Sequence, residues 1–158
     1  MDNSTSPETR SAIDDRLRLI TDELRSLLAN YLFGVYRKCL TNHYLACFHA
    51  ACLLLESKGV QVAGHEGINR PLSAHFIGPG LFDKQWLKTL SRLHSQQQAA
   101  DFHSYLHFEE EDVLESLALA IPFLERTLNY LKVHIEDCDW KSFEQRLDGV
   151  RRLLAAEL

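Results

Sequence analysis

The chain reads as an all-α protein, an antiparallel bundle of five to six helices joined by short connections. Apolar residues recur at three- and four-residue steps along most of its 158 residues. No stretch alternates polar and apolar side chains as a half-buried strand does. Glycine- and proline-bearing breaks fall between the helical stretches, where a bundle needs its turns.

The elements follow in order. Residues 1–7 form a tail, and residues 8–158 a single domain. Ser6 is an N-cap, with Pro7 at the first helical position. Ile13, Leu17, Ile20, Leu24 and Leu27 then form one buried stripe, until Gly34 breaks the run. A second helix is predicted over residues 36–58, apolar around most of its circumference as the central helix of a bundle is, and closed by Gly59. The turn-rich "VQVAGHEGINRP" leads to a short helical piece at residues 72–77, stopped by "GPG". The next helix runs from the N-cap Asp83 to Phe102. After "HSYLHF", the acidic run at residues 109–112 suits the N-terminus of a helix dipole, a structural use of the charge. Pro122 should kink that helix, which ends near Asp137, and a final helix covers residues 139–157.

Composition narrows the function classes. Such a length buries roughly 70% of its unfolded surface, enough for one real core. A net charge of -5 gives no general attraction for nucleic acid or anionic membranes, so RNA contact would need a local basic patch. No apolar run approaches the ~20 residues that span a bilayer. The N-terminal "MDNSTSPETR" has no signal-peptide pattern, and four cysteines without C-x-x-C spacing suit reduced thiols in a cytoplasm. Phosphate-loop, dinucleotide-binding and nucleophile-elbow motifs do not occur. Cys39, His43 and Cys47 share one helix face, like half a zinc site, but the plainer reading is a buried face of small thiols and an imidazole. His103 and His107 alone are weak grounds for a metal. No metal or cofactor is expected.

One stretch resists a purely structural reading. The helix "DKQWLKTLSRL" continues into "HSQQQAADFH", placing three amides, an acid and a histidine where the inward face should end. Four phrases in register give it a context. "HYLACFHAACLLLESKG" resembles the aromatic-rich second helix of small stand-alone HEPN domains of bacteria and archaea. "GHEG" resembles the turn that follows. "SAHFIGPGLFDKQWLKTLSRLHSQQQAADF" resembles the segment ending near "RxxADY", and "LALAIPFLERTLNYL" the closing helix. The resemblance covers residues 36–131 and leaves out the last helix.

The resemblance implies an HEPN-like helical bundle that dimerises, often as a metal-independent endoribonuclease in toxin–antitoxin or antiviral systems. The family signature is R-x(4-6)-H. Histidine suits the proton transfers at the ribose 2'-hydroxyl and leaving oxygen, and arginine's planar, permanently charged fork suits the phosphorane. Laid on this chain, the histidine is His103, the arginine position is Gln97, and the "ADY" phrase reads Ala100, Asp101, Phe102. A second position, often arginine, is Asn42. Tyr44 and His49 in the second-helix phrase, and His65 in "GHEG", complete the candidate cleft with Asn42, Asp101 and Phe102.

Two function classes follow. The first is a homodimeric binding module with a degenerate ribonuclease site, recognising RNA, a nucleotide or a protein. The second is an active ribonuclease toxin using His103 with a non-standard arginine such as Arg70 or Arg92. Pairing is expected because the apolar second helix and the Trp86-bearing helix have surface to bury. A nucleotidyltransferase-type antitoxin, or another defence-system subunit, is the protein partner the family suggests.

Overall fold

The computed structural model describes residues 6–62, 64 and 67–155. Six helices follow one another: α1 (Pro7–Leu32), α2 (Tyr36–Glu56), α3 (Asn69–Leu72), α4 (Gln85–Phe102), α5 (Glu110–His134) and α6 (Trp140–Ala155). Among the described residues there is no strand. The expected all-α bundle is what the sequence makes.

The helix ends show why the boundaries fall where they do. The Ser6 hydroxyl accepts from the Thr9 amide at 3.2 Å, with Pro7 in the first turn. α1 and α2 end by one device. Gly34 takes φ 74°, letting the Val35 amide reach the Asn30 carbonyl (2.8 Å) and its own amide that of Tyr31 (3.1 Å). Gly59, at φ 75°, repeats this with Val60 to Leu55 and Gly59 to Glu56, both 3.0 Å. The α2 helix therefore ends at Glu56, its last turn tightening before the glycine. The N-cap of α4 is Lys84, one residue beyond the expected Asp83, whose side chain accepts from the Gln85 amide at 2.9 Å just ahead of the helix, and Asp139 caps α6 through the Ser142 amide at 3.1 Å.

Two elements differ from expectation in detail. The short helical piece begins earlier, at Asn69, and α3 passes into a π-helical turn, Ser73–Ile77. There the Gly78 amide bonds the Ser73 carbonyl, five residues back, at 2.7 Å. This turn holds Phe76 fully buried, its ring 5.4 Å from both Phe82 and Tyr130. The acidic run is a reciprocal capping box: the Glu109 amide donates to Asp112 Oδ2 at 2.8 Å, and the Glu109 side chain accepts from the Asp112 amide. α5 then runs through Pro122 to His134.

α2 packs against α1, α4 and α5, while α6 closes over α1 and α5. Buried residues occur on every side of α2, and Ala46, Ala50 and Ala51 let neighbouring helices come close. α2 is thus the central helix that its apolar circumference predicts, and its apolar surface is covered by its own chain. Trp86 is also half-buried, tilted against Phe123 at 5.7 Å. Among the described residues, no helix is long and apolar enough to cross a membrane.

Candidate functional site

The C-terminal end of α4 holds Gln97 and His103, the two positions that the resemblance aligns with the HEPN signature. Gln97 is half-buried and donates from Nε2 to Asp101 Oδ2 at 2.6 Å, one turn along the same helix. Asp101 Oδ1 accepts from the Thr41 hydroxyl of α2 at 2.6 Å, and Lys38 Nζ lies 3.6 Å away. Burial raises the Asp101 pKa, but hydrogen bonds from Thr41 and Gln97 and the charge on Lys38 outweigh it. The carboxyl is held below its ordinary value. The glutamine thus bridges to Asp101 through its amide. It brings no charge.

His103 is the C-cap of α4, exposed, with its ring stacked on Tyr105 at 5.6 Å. Phe102 beside it is exposed too. The loop that carries them is held by a residue the sequence reading passed over. Arg37 donates from Nη1 to the carbonyls of Ala100 and His103 and from Nη2 to that of Leu106, with its guanidinium 5.0 Å over the Phe108 ring. The Ala100 carbonyl belongs to the open end of the helix and the other two to the loop beyond it, that of His103 also accepting from the Leu106 amide at 3.1 Å. A cation here is favoured twice, by hydrogen bonding and by the dipole. A signal for this was present. Arg37 and Lys38 stand in the first turn of α2, where positive charge opposes the dipole, so each had reason to reach elsewhere.

The remaining candidates are not gathered around His103 by these contacts. Asn42 is buried between α2 and α1, accepting from Asn30 at 2.9 Å and donating to Glu23 at 2.8 Å. Burial keeps the Glu23 pKa above its ordinary value, against the lowering effect of the Asn42 hydrogen bond. Tyr44 is buried and stacks on His94 at 4.6 Å, in a cleft of about 40 Å³ shared with Ile68, Asn69 and Leu90. His49 Nδ1 accepts from Arg16 at 3.0 Å, and Arg16 also donates to Glu56 at 2.6 and 3.1 Å. His65 lies outside the described residues. Arg92 is exposed, and five positions along a helix turn it about 140° from Gln97. Arg70 sits in α3, next to the wall of the Tyr44 cleft.

The Cys39–His43–Cys47 face is structural. The Cys39 thiol donates weakly to the Leu27 carbonyl (3.7 Å) and the Cys47 thiol to that of Ala120 (3.9 Å), while His43 Nδ1 pairs with the Ser116 hydroxyl at 2.8 Å. Burial pushes the Cys39 thiol up to about 12 and Cys47 higher, and drives His43 down to about 3. Among the described residues, no group of three or more His, Cys, Asp or Glu side chains is placed to hold a metal ion.

Chemically, the α4 end offers one exposed imidazole able to exchange a proton and an aromatic neighbour able to stack. Among the described residues, the cations contacting this end are Arg37 and Lys38. The first is committed to carbonyls and the second faces Asp101.

No protein-family model matches the chain. It is 28% identical over 86 residues to a UPF0332 protein of Pyrococcus horikoshii, a match covering 54% of this chain and 61% of that protein. It is 26% identical over 110 residues to a UPF0332 protein of Thermotoga maritima, covering 70% and 81% respectively. The chain is thus similar to UPF0332 proteins of an archaeon and a bacterium, in one case over less than two thirds of the relative's length.

Proposed function

We propose that the protein is an HEPN-like helical module whose ribonuclease centre has lost its cation, and that it acts by binding rather than by cutting. One observation carries this reading: at the family's arginine position, Gln97 spends its amide on Asp101, and among the described residues the cations contacting this end, Arg37 and Lys38, are engaged elsewhere. A phosphorane carries negative charge that an amide cannot neutralise. Losing one such cation costs on the order of 10²–10⁵ in phosphoryl-transfer rate. The all-α bundle, and the four sequence phrases in order, support the HEPN likeness. The UPF0332 names carry no activity to transfer. A toxin–antitoxin or antiviral setting, with a nucleotidyltransferase-type protein among the partners, is the context the resemblance suggests.

The alternative, an active metal-independent endoribonuclease toxin with a borrowed arginine, gains little from Arg70 or Arg92. Arg37 lies closest to His103 of the arginines described above, but its guanidinium is engaged at several carbonyls. A homodimer around the α4 end belongs to the proposal and rests on the resemblance alone. Light scattering showing only an 18.2 kDa species at micromolar concentration would remove it. Any RNA binding should be weak and fall steeply with salt, since net charge opposes it.

The site itself is tested by restoration. Gln97→Arg recreates the R-x5-H pair with His103 and should gain metal-independent ribonuclease activity, which Gln97→Arg/His103→Ala should lack. A Gln97→Arg protein that folds, dimerises and cleaves nothing would show that more than the arginine is missing, and the HEPN assignment of this site would fail.

A further inference from the structure

The charge of the chain is unevenly spread. Residues 67–100, which build α3, the π-helical turn and α4 as far as Ala100, hold Arg70, Lys84, Lys88 and Arg92 against Asp83 alone. That segment is +3, so the rest of a chain with net charge -5 is -8, counting paired and unpaired groups alike. Lys84, Lys88 and Arg92 step four residues at a time, which sets them about 6 Å apart along the helix and within roughly 80° around it. Ser91 and Ser95 fall in the same arc, and all five residues are exposed. Leu90, Leu93 and Ala100, the buried residues of α4, lie on the opposite side. Lys84 is the N-cap and Lys88 ends the first turn, where no carboxylate stands. Positive charge there opposes the helix dipole, so these lysines do not stabilise the helix that carries them. Among the described residues, no ion pair, side-chain hydrogen bond or ring contact engages Arg70, Lys84, Lys88 or Arg92.

The chemistry of this face selects its ligand. Cations in a row without internal partners suit a chain of negative charges. An anionic membrane would need apolar side chains among the cations, and a protein partner an aromatic or aliphatic anchor. The exposed arc from Lys84 to Ser95 holds neither. Hydroxyls set between cations are partners for phosphate and sugar oxygens. Ser91 also lines the cleft that Asn69 shares with Tyr44 and His94, and Arg70 follows Asn69 on the far side. The face thus opens into a neutral slot of about 40 Å³, room for the edge of an unpaired base and not for a base pair. We infer that the outer face of α4 from Lys84 to Ser95, with Arg70 beside it, holds the phosphate chain of a single-stranded nucleic acid. It is the local basic patch that such contact needs against the net charge. Along the helix axis Arg92 lies about 16 Å and Lys84 about 28 Å from His103, so a homodimer around the α4 end is compatible with it. The inference rests on the reading of the chain as a binding module and gives that module a ligand class.

The test uses the full chain and short labelled oligo-dT and oligo-U strands, followed by fluorescence anisotropy. Oligo-dT has no 2'-hydroxyl, so its binding is read apart from any cleavage. Both strands should bind at low salt, or oligo-U alone if the face also reads the ribose. With four cations engaged, log K should fall against log salt with a slope of about -3. Lys88→Glu/Arg92→Glu should weaken binding roughly tenfold or more and halve that slope. The melting temperature should not fall, since both residues are exposed. Lys141→Glu/Arg146→Glu, the same charge change on exposed residues of α6, should alter binding by less than about twofold. If the α4 variant melts early, Lys84→Gln/Lys88→Gln should weaken binding a few-fold. Equal weakening by the α4 and α6 variants would mean general electrostatic attraction and overturn the inference. Absence of binding to either strand would overturn it too, whether or not phosphatidylserine vesicles bind instead. So would an α4 variant that changes the oligomeric state, which would make the acidic surface of a second copy the occupant. Cleavage of oligo-U by the unmodified chain, lost in His103→Ala, would instead count against the binding-module reading and leave the oligo-dT results to stand or fall separately.

Discussion

His43 and His103 sit in opposite surroundings, and the contrast shows how the fold sorts its chemistry. His43 lies between α2 and α5, 1% exposed, with Nδ1 on Ser116 and Nε2 buried without a partner. Desolvation holds it neutral far below its ordinary range. It exchanges no proton at physiological pH, yet it couples the core to acid. His103, at the end of α4, is exposed, and Gln97 on the same helix offers a carboxylate-bound amide instead of a charge. A buried imidazole controls stability without doing chemistry. An exposed one stays open to solvent and to whatever binds there.

The largest effect expected from this contrast is on acid stability. The folded-state pKa of His43, about 3, lies below its ordinary 6.5. Between those values the unfolded chain takes up a proton the folded chain refuses, so stability present above pH 6.5 is lost as pH falls. The loss should be about 2 kcal/mol at pH 5, and on the order of 4 kcal/mol as pH approaches 3. Denaturant titrations at pH 7 and pH 5 should show it, and His43→Gln should remove most of the slope. Equal slopes in the two proteins would mean the core tolerates a charged imidazole.

At the other region, Arg37→Ala should cost about 3 kcal/mol, because the carbonyls of Ala100, His103 and Leu106 lose a charged donor. Faster amide exchange at residues 100–108 should accompany the loss, and Arg37→Lys should recover only part of it, since an ammonium cannot fork. Unaltered exchange there would show that the loop holds itself. Asp101→Asn should cost less, about 1 kcal/mol, by weakening the bridge from Thr41 and Gln97. Its carboxyl titrates below the ordinary value, so its contribution is present at neutral pH and fades as pH falls through that range. The smallest effect belongs to Gln97→Arg, within about 1 kcal/mol, because Asp101 already sits where the new guanidinium would pair. A drop of several kcal/mol would mean the position is built for an amide.

Much of the bundle was legible because its signals are local. Ser6–Pro7, Gly34, Gly59, Asp83 and Asp139 each act on amides or carbonyls within a few residues, and the helix ends follow them. The π-helical turn at Ser73–Ile77 was not legible, because one added residue per turn leaves no periodic trace in so short a stretch. The candidate site was half-legible. Gln97 and Asp101 lie one turn apart on one helix, so their bond follows from spacing. Arg37 meets its carbonyls 63 to 69 residues away, and Thr41 meets Asp101 across 60. Asn42 was read as a cleft residue by analogy, and its contacts to Glu23 and Asn30 depend on how α1 packs on α2.

The most direct measurement is an RNA cleavage assay on the unmodified protein, with a chelator present and His103→Ala run beside it. No cleavage above the His103→Ala background is expected, because Arg37 and Lys38, the cations contacting this end among the described residues, are engaged at carbonyls and at Asp101. Robust cleavage that disappears in His103→Ala would contradict the binding reading outright. It would show that Lys38 or Arg37 leaves its present partners to carry the charge.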